Sequence, residues 1–323
     1  MSEVLVSSEQ PPAEVPAQRV FFFEEGSGSM TGLLGGKGAG LAEMTRAGLP
    51  VPPGFTITTE TCLEYYRLGR TMPAALAAEL ERSMATLAER TAKGFGASHD
   101  PLLVSVRSGA RVSMPGMMDT ILNLGLNDDT VRGLAELTGN PRFAWDAYRR
   151  FIAMFSSVVL CIPKDRFERI LDGAKRDAGV TSDPELDAPA WQSVVESFKA
   201  VVRDETGRDF PQDVNEQLRL AVLAVFDSWH SRRATDYRRF NRISDGWGTA
   251  VSVVAMVFGN MGDDSGTGVA FTRDPNTGER KLFGEYLRNA QGEDVVAGTR
   301  TPERIADLER SQPAVYAQFV DIA

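Results

Sequence analysis

The sequence has very little cysteine and no long apolar run. Only two cysteines occur among 323 residues, Cys62 and Cys161, and they stand far apart without a Cys-x-x-Cys or Cys/His spacing. The sequence therefore supports neither a disulfide framework nor a zinc site, and we predict that both cysteines are buried apolar side chains. No apolar stretch approaches the roughly 20 residues of a membrane span, and the first 20 residues are polar and proline-bearing rather than a signal sequence. We expect a cytoplasmic protein without a membrane partner.

Histidine and net positive charge are also scarce. His99 and His230 are the two histidines, and both stand in polar contexts that are typical of solvated side chains rather than nucleophiles. The formal net charge is -9, which gives no general attraction to nucleic acid or to anionic lipid. Any polyanionic ligand must therefore be held by a local group of lysine, arginine and backbone N–H groups.

The residues that are abundant indicate a globular α+β protein. Hydrophobic residues make up 42% and charged residues 24% of the chain, close to the averages for soluble domains. Late in the chain, strand-like runs at 249–258, 269–272 and around 282–287 follow one another with tight turns, which favours an antiparallel sheet. We predict four segments in chain order: a flexible leader (1–19), a first α/β lobe (20–127), a small helical subdomain (128–211), and a second lobe with antiparallel strands (212–323).

A glycine-rich segment with one lysine precedes a helical pattern at residues 33–40. Gly35 and Gly36 would let backbone N–H groups approach an anion, and Lys37 would add a point charge. The segment is not a Walker A motif, because the first glycine of that motif would fall at Thr31 and Gly38 replaces the Ser/Thr after the lysine. It resembles a phosphate loop, and a simple glycine-rich turn is the alternative.

An apolar strand at residues 102–106 ends in two arginines, Arg107 and Arg111. Strand ends are where α/β folds place ligands, and a planar guanidinium suits bidentate contact with phosphate oxygens. We favour a ligand contact over an ion pair for Arg107 and the reverse for Arg111.

The helix after Pro141 carries two further arginines. Rotation by about 100° per residue gathers Phe143, Phe151 and other apolar residues on one face. Arg149 then points away from that face, toward the helix surface. Arg150 lies at its border, where its head could reach a cleft.

The loop at 259–268 is the strongest isolated signal, because it contains four glycines. A flexible lid over phosphates would explain them, with a long hairpin loop as the alternative; the predicted contacts are Gly262, Ser265, Gly266, Thr267 and Gly268. Beyond the loop, Glu285, Glu293 and Asp294 could hold Mg²⁺ or the ribose hydroxyls. Ordinary acidic turns are the alternative for these three.

Taken together, five stretches resemble the amino-terminal domain of pyruvate, phosphate dikinase. They are LLGGKGAGLAEMTRAGLPVPPGFTITTE, DPLLVSVRSGARVSMPGMMDTILNLGLND, NPRFAWDAYRRF, WGTAVSVVAMVFGNMGDDSGTGVAFTRDPNTGE and GEYLRNAQGEDVVAGTRTP. The long MPGMMDTILNLGLND run favours this dikinase over the related phosphoenolpyruvate synthase.

The resemblance implies an ATP-grasp fold in which two lobes close on MgATP. Complete enzymes of the family convert ATP, phosphate and pyruvate into AMP, diphosphate and phosphoenolpyruvate through a histidine on a separate swivelling domain. Lys37 and Arg107 match the family's phosphate contacts, and Arg150 matches an arginine implicated in binding inorganic phosphate. Glu285, Glu293 and Asp294 correspond to acidic residues of the nucleotide and phosphate site.

The resemblance also implies parts that this sequence does not contain. The family continues past Ala323 into strands with metal-binding carboxylates, a phosphohistidine domain and a barrel that binds pyruvate. We expect the chain to be either a piece of a longer enzyme or a short relative that needs another chain, and to make no phosphoenolpyruvate by itself. A non-catalytic protein that keeps the fold for assembly or nucleotide sensing is the alternative.

Overall fold

The computed structural model describes residues 18–298 and 300–323, without the side chains of Val296 and Ala297. The predicted leader therefore lies almost wholly outside the described residues. Arg19, at its end, is buried, and its Nε donates to Glu64 at 2.9 Å.

A five-stranded antiparallel sheet forms the centre of the molecule. The strands are β1 (Val20–Phe22), β2 (Gly54–Ile57), β3 (Val104–Gly109), β4 (Thr120–Leu124) and β5 (Ala250–Ala255), in the order β1-β2-β5-β3-β4. Successive side chains of a strand point to opposite faces. Val104 and Val106 of β3 are therefore buried in the core on one face, while Ser105 and Arg107 face a cavity on the other.

Helices cover this sheet and form much of the core. They are α1 (Thr31–Arg46), α2 (Thr59–Arg67), α3 (Ala74–Thr91), α4 (Thr130–Thr138), α5 (Pro141–Val158), α6 (Asp165–Ala178), α7 (Ala188–Thr206), α8 (Val214–Ser228) and α9 (Arg232–Asn241). The helical spacing at 128–211 thus corresponds to four helices, α4 to α7, and their buried side chains join those of the sheet in one hydrophobic cluster. Within the two described ranges, no helix has the length and apolarity to cross a membrane.

Helix α5 begins where the sequence predicts. The Asn140 side chain accepts a hydrogen bond from the Phe143 N–H at 3.1 Å, and Pro141 occupies the first turn, where a missing N–H costs nothing. The prediction for Arg149 was wrong: this residue is buried, not on the helix surface. The reason is that α7 packs against α5 and places the Trp191 ring 4.4 Å from the Arg149 guanidinium.

A second antiparallel sheet contains β6 (Gly266–Phe271), β7 (Phe283–Arg288) and β8 (Glu303–Arg304), followed by two short helices, α11 (Leu308–Ser311) and α12 (Pro313–Ile322), with α10 (Gly292–Ala297) between β7 and β8. Tyr286, Ile305 and Leu308 form its small core. The strand pairing agrees with the predicted antiparallel arrangement. Both histidines are exposed, as predicted; Cys62 is buried, but Cys161 is exposed, which corrects the prediction for that cysteine.

The predicted glycine loop is shorter than expected. Gly266, Thr267 and Gly268 belong to β6 and pair with Arg288, Leu287 and Tyr286 of β7. A Cβ atom on Gly268 would lie 2.5 Å from the Glu285 carbonyl oxygen. This glycine therefore permits close strand packing, and the loop itself covers only 259–265.

Candidate functional site

Helix α1 meets the end of β3 through two glycines. Gly35 interrupts the helix with φ 67° and ψ 169°, a backbone region that is essentially limited to glycine. A Cβ atom on Gly35 would lie 1.8 Å from the Gly109 carbonyl oxygen, and the Gly36 N–H donates to the Ala110 carbonyl at 2.9 Å. In this structure, the predicted phosphate-loop glycines Gly35 and Gly36 join the helix to the strand, and the Gly36 N–H is already engaged.

This junction places Lys37 beside the same end of β3 that carries Arg107. Both side chains are exposed, and neither has an ion pair or side-chain hydrogen bond to any residue that the structure describes. Loss of water to the surrounding protein, followed by the charge of Arg107, lowers the pKa of Lys37 to about 8. Partial burial also lowers the pKa of Arg107, against the opposing charge of Glu293. Two cations thus stand together with no ion pair to any described residue, a combination that favours an anionic ligand.

A cavity of about 660 Å³ lies between the two sheets next to Arg107. This volume is within the range of small-molecule sites, roughly 300 to 1,000 Å³. The walls combine apolar and polar groups from both sheets: Pro52, Leu122, Ala255, Met256, Val257 and Val269, with Ser105, Arg107, Thr120, Thr267, Gln291 and Glu293. A wall of mixed apolar and polar groups suits a ligand that has a flat organic part and a charged part.

The predicted lid residues are divided between loop and strand. Thr267 lines the cavity with Arg107. Gly262 and Ser265 close a turn, in which the Gly262 N–H donates to the Ser265 hydroxyl at 3.0 Å and that hydroxyl donates to the Gly262 carbonyl at 2.7 Å. The Asn140 side chain donates to the Met261 carbonyl at 2.8 Å and so ties the loop to the start of α5.

Glu285 is not brought to this cavity. It is exposed in β7, where it pairs in register with Val269 of β6 and Arg304 of β8. It is not among the residues that line the cavity beside Arg107. Its predicted nucleotide contact thus has no support in this geometry.

Arg150 occupies a separate, half-buried charged cluster. Its Nε donates to the Asp146 carboxylate at 3.2 Å, and its Nη1 donates to Asp294 at 3.0 Å and lies 3.8 Å from Glu293. Burial opposes the charge of Arg150, but the carboxylates of Asp146 and Asp294 outweigh it and raise the pKa of the guanidinium. Arg150 thus links α5 to α10.

Glu293 joins the two charged regions. It lines the cavity beside Arg107 and also approaches Arg150. Burial raises the pKa of Glu293, and the charge of Arg150 offsets part of that effect. Within the described residues, no group of three or more acidic, cysteine or histidine side chains could hold a metal by itself. Two carboxylates completed by nucleotide phosphates remain a usual arrangement for Mg²⁺.

Two residues of this region, Gln291 and Asp146, were not predicted, and Arg111 makes a contact different from the expected one. Gln291 lines the cavity, is buried, and has no hydrogen-bond partner among the described residues for either polar atom of its side-chain amide. Asp146 is buried on α5, and its carboxylate accepts hydrogen bonds from Arg149 and Arg150. Arg111, expected in an ion pair, instead stacks over the Trp247 ring at 5.6 Å. The spacing of an aspartate three and four residues before two arginines is the one sequence signal that points to Asp146.

The lowered pKa of Lys37 predicts a pH-dependent site. Below pH 8 the amine is charged in the free protein, and above pH 8 it must take up a proton to bind an anion. We therefore expect the affinity for ATP to decrease as the pH rises from 7 to 9. Isothermal titration calorimetry at several pH values measures this change, and Arg107 stays charged throughout.

The control for this pH effect is Lys37→Met, which keeps the side-chain length without the charge. Its ATP affinity should be lower at pH 7 and should change less between pH 7 and 9. An equal decrease in both proteins would assign the titration to another group.

The comparisons with known proteins agree on one family. The chain matches the family described as pyruvate phosphate dikinase, AMP/ATP-binding domain, over residues 31–70 and 68–320. It is 56% identical over 308 residues to pyruvate, phosphate dikinase of Clostridium symbiosum and 52% identical over 309 residues to that of Entamoeba histolytica. It is 50% identical over 322 residues to the chloroplastic pyruvate, phosphate dikinase 1 of Arabidopsis thaliana. These alignments cover 95%, 94% and 98% of this chain but 35%, 35% and 33% of the relatives. The chain thus spans about a third of their length.

The fold and the cavity define the class of protein first. Two antiparallel sheets with a cavity between them that Arg107 borders form an α+β domain of the ATP-grasp-like type. The chain belongs to the pyruvate phosphate dikinase AMP/ATP-binding domain family. The family predicted from the five sequence stretches is thereby confirmed.

Proposed function

We propose that the chain binds ATP in the cavity between the two sheets, with Lys37 and Arg107 against the phosphates. The observation that carries this proposal is Arg107 in the wall of a nucleotide-sized cavity with Lys37 beside it, two cations that have no ion-pair partner in the described chain. The apolar wall of Leu122, Met256 and Val257 would accept the base. Charged hydrogen-bond donors in a partly desolvated site stabilise phosphate oxygens more strongly than the same groups in water.

The chain's own residues would act on the triphosphate by position and charge. Phosphoryl transfer depends mainly on holding the reacting groups in line and on neutralising the charge of the phosphoryl oxygens. Lys37 and Arg107 would do both, while the loop at 259–265 would exclude water. Glu293 and Asp294 are the carboxylates that would hold Mg²⁺, which supplies further neutralisation of the phosphate charge when it is bound.

Inorganic phosphate is the second proposed ligand, at Arg150. Glu293 lies near this guanidinium and also lines the ATP cavity. Among the described contacts, the terminal nitrogens of Arg150 contact only the carboxylates of Glu293 and Asp294 on α10. A phosphate in their place would find a preformed bidentate donor. We propose further that the chain acts within a dikinase that uses ATP, phosphate and pyruvate, with a phosphohistidine domain and a pyruvate-binding domain supplied by a longer chain or another subunit.

Calorimetric titration of the purified chain with ATP tests the proposed site. We expect saturable binding at one site per chain, with higher affinity in magnesium chloride than in EDTA. Sodium triphosphate should bind more weakly, because it lacks the part that contacts the apolar wall. The absence of saturable heat up to millimolar ATP would refute the proposal.

A further inference from the structure

We propose that Asp146 is the positioning residue for Arg150, and that it orients this guanidinium toward an incoming phosphate. The inference deepens the proposed function and rests on Arg150 as the phosphate-binding residue. Asp146 lies on α5 and is 4% exposed. A carboxylate buried to this extent requires charged partners.

The Asp146 carboxylate holds each of the two neighbouring arginines by its Nε atom. Its Oδ1 accepts from the Nε of Arg149 at 2.8 Å, and its Oδ2 accepts from the Nε of Arg150 at 3.2 Å. The residues are three and four positions apart, so they share one side of the helix. Because Asp146 contacts Nε, the terminal nitrogens of each guanidinium can form hydrogen bonds with other residues.

The outer ends of the two arginines have different surroundings. Arg149 reaches Asp183 at 2.6 Å, and its guanidinium lies against the Trp191 ring. These close contacts lie within the helical layer of α5, α7 and the segment before α7. Arg150 instead extends away from α5 to Glu293 and Asp294 on α10. Among the described contacts, Arg150 is the one of the two that forms ion pairs with α10, while Arg149 borders the same cavity as Arg150, Glu293 and Asp294.

A phosphate dianion can take the place of the two carboxylates as the negatively charged partner of Arg150. Glu293 and Asp294 together carry a formal charge of about -2, which a phosphate dianion also carries. A phosphate can therefore replace them at the outer end of Arg150 while Asp146 keeps its hold on Nε. Without Asp146, the long Arg150 side chain would have to be ordered by the phosphate itself, at the expense of affinity.

The direct test is Asp146→Asn, which keeps the side-chain shape and removes the charge. We expect the affinity for inorganic phosphate, measured by calorimetry, to fall by about 10- to 100-fold, the range seen when a supporting partner of a ligand-binding side chain is lost. The affinity for ATP should change by less than about twofold, because Lys37 and Arg107 form no contact with Asp146.

Asp183→Asn is the matched control. Asp183 contacts Arg149 but not Arg150, so this variant should keep its phosphate affinity. If the loss of any carboxylate in the cluster weakened phosphate binding, Asp183→Asn would bind phosphate as weakly as Asp146→Asn. That result would overturn the proposal.

A second pair of variants covers the case in which Asp146→Asn does not fold, since removal of one member of a buried ion pair can be strongly destabilising. In Asp146→Asn/Arg149→Met, both opposite charges are removed together. The double variant should fold and still lose phosphate affinity, while Arg149→Met alone should retain it. Equal phosphate affinity in these two proteins would contradict the role of Asp146.

The orientation of Arg150 is measured independently by its Nε–H resonance in ¹⁵N NMR spectra. This resonance should be protected from exchange in the wild type and in Asp183→Asn, and it should lose protection in Asp146→Asn or the double variant. If the wild type binds ATP but not phosphate, the proposed phosphate site fails, while this spectrum still decides the positioning role. Unchanged protection in the absence of the Asp146 carboxylate would refute that role.

Discussion

Gly35→Ala should lower the free energy of unfolding by about 2 to 6 kcal/mol, the sum of a forbidden backbone conformation and an overpacked contact at about 1 to 3 kcal/mol each. Gly35 has φ 67°, and an added Cβ atom would lie 1.8 Å from the Gly109 carbonyl oxygen. Helix α1 and strand β3 would have to separate at the point where Lys37 and Arg107 meet. Urea unfolding, followed by circular dichroism, measures the change.

The matched control is Gly40→Ala in the same helix. Gly40 has no atom within 4 Å of an added Cβ, so alanine meets open space there. This substitution should stabilise the protein by about 0.4 to 1 kcal/mol, because it reduces the freedom of the unfolded chain. If both variants changed stability in the same direction, the close approach of Gly35 to Gly109 would not be the cause.

Arg107→Ala should weaken ATP binding by about 1.5 to 3 kcal/mol, the value of a hydrogen bond to a charged group. This corresponds to a loss of about 10- to 150-fold in affinity. Arg107 has no ion pair in the described chain, so its removal leaves no carboxylate unpaired and should have little effect on folding. Calorimetry with ATP measures the loss of affinity, and thermal unfolding measures the stability.

Two controls separate a specific contact from a general effect of charge. Arg107→Lys keeps the charge but loses the planar fork of donors, and its affinity should lie between those of the wild type and Arg107→Ala. Arg232→Ala removes an arginine whose side chain is 97% exposed and does not line the cavity. Arg232→Ala should bind ATP with the affinity of the wild type. If it lost as much ATP affinity as Arg107→Ala, Arg107 would act only through the overall charge of the protein.

Local patterns in the sequence were sufficient for much of the fold. The apolar run before Arg107 became β3, the run before the glycine loop became β5, and Asn140-Pro141 began α5. Each of these signals lies within a few residues of the element that it predicts. Backbone propensity and side-chain periodicity act over that same distance, so the sequence contains them in readable form.

Contacts between distant segments account for the predictions that failed. Arg149 was assigned to a helix surface because its own helix shows only one apolar face, and α7 covers the other side from more than thirty positions away. In the sequence alone, Gly266 and Gly268 resemble loop glycines. In the structure they belong to β6 and pack closely against β7.

The sequence by itself determined the family and the α+β class, and it indicated Lys37, Arg107 and Arg150 as candidate phosphate contacts. The tertiary structure decided which of these cations are free and which are engaged. Lys37 and Arg107 have no ion-pair partners in the described chain, whereas Arg150 is held by Asp146 from its own helix and by Asp294, 144 positions along the chain. The physical reason is that the charge environment of a side chain depends on distance in space, and the carboxylates within a few ångströms are brought there by packing of the whole chain.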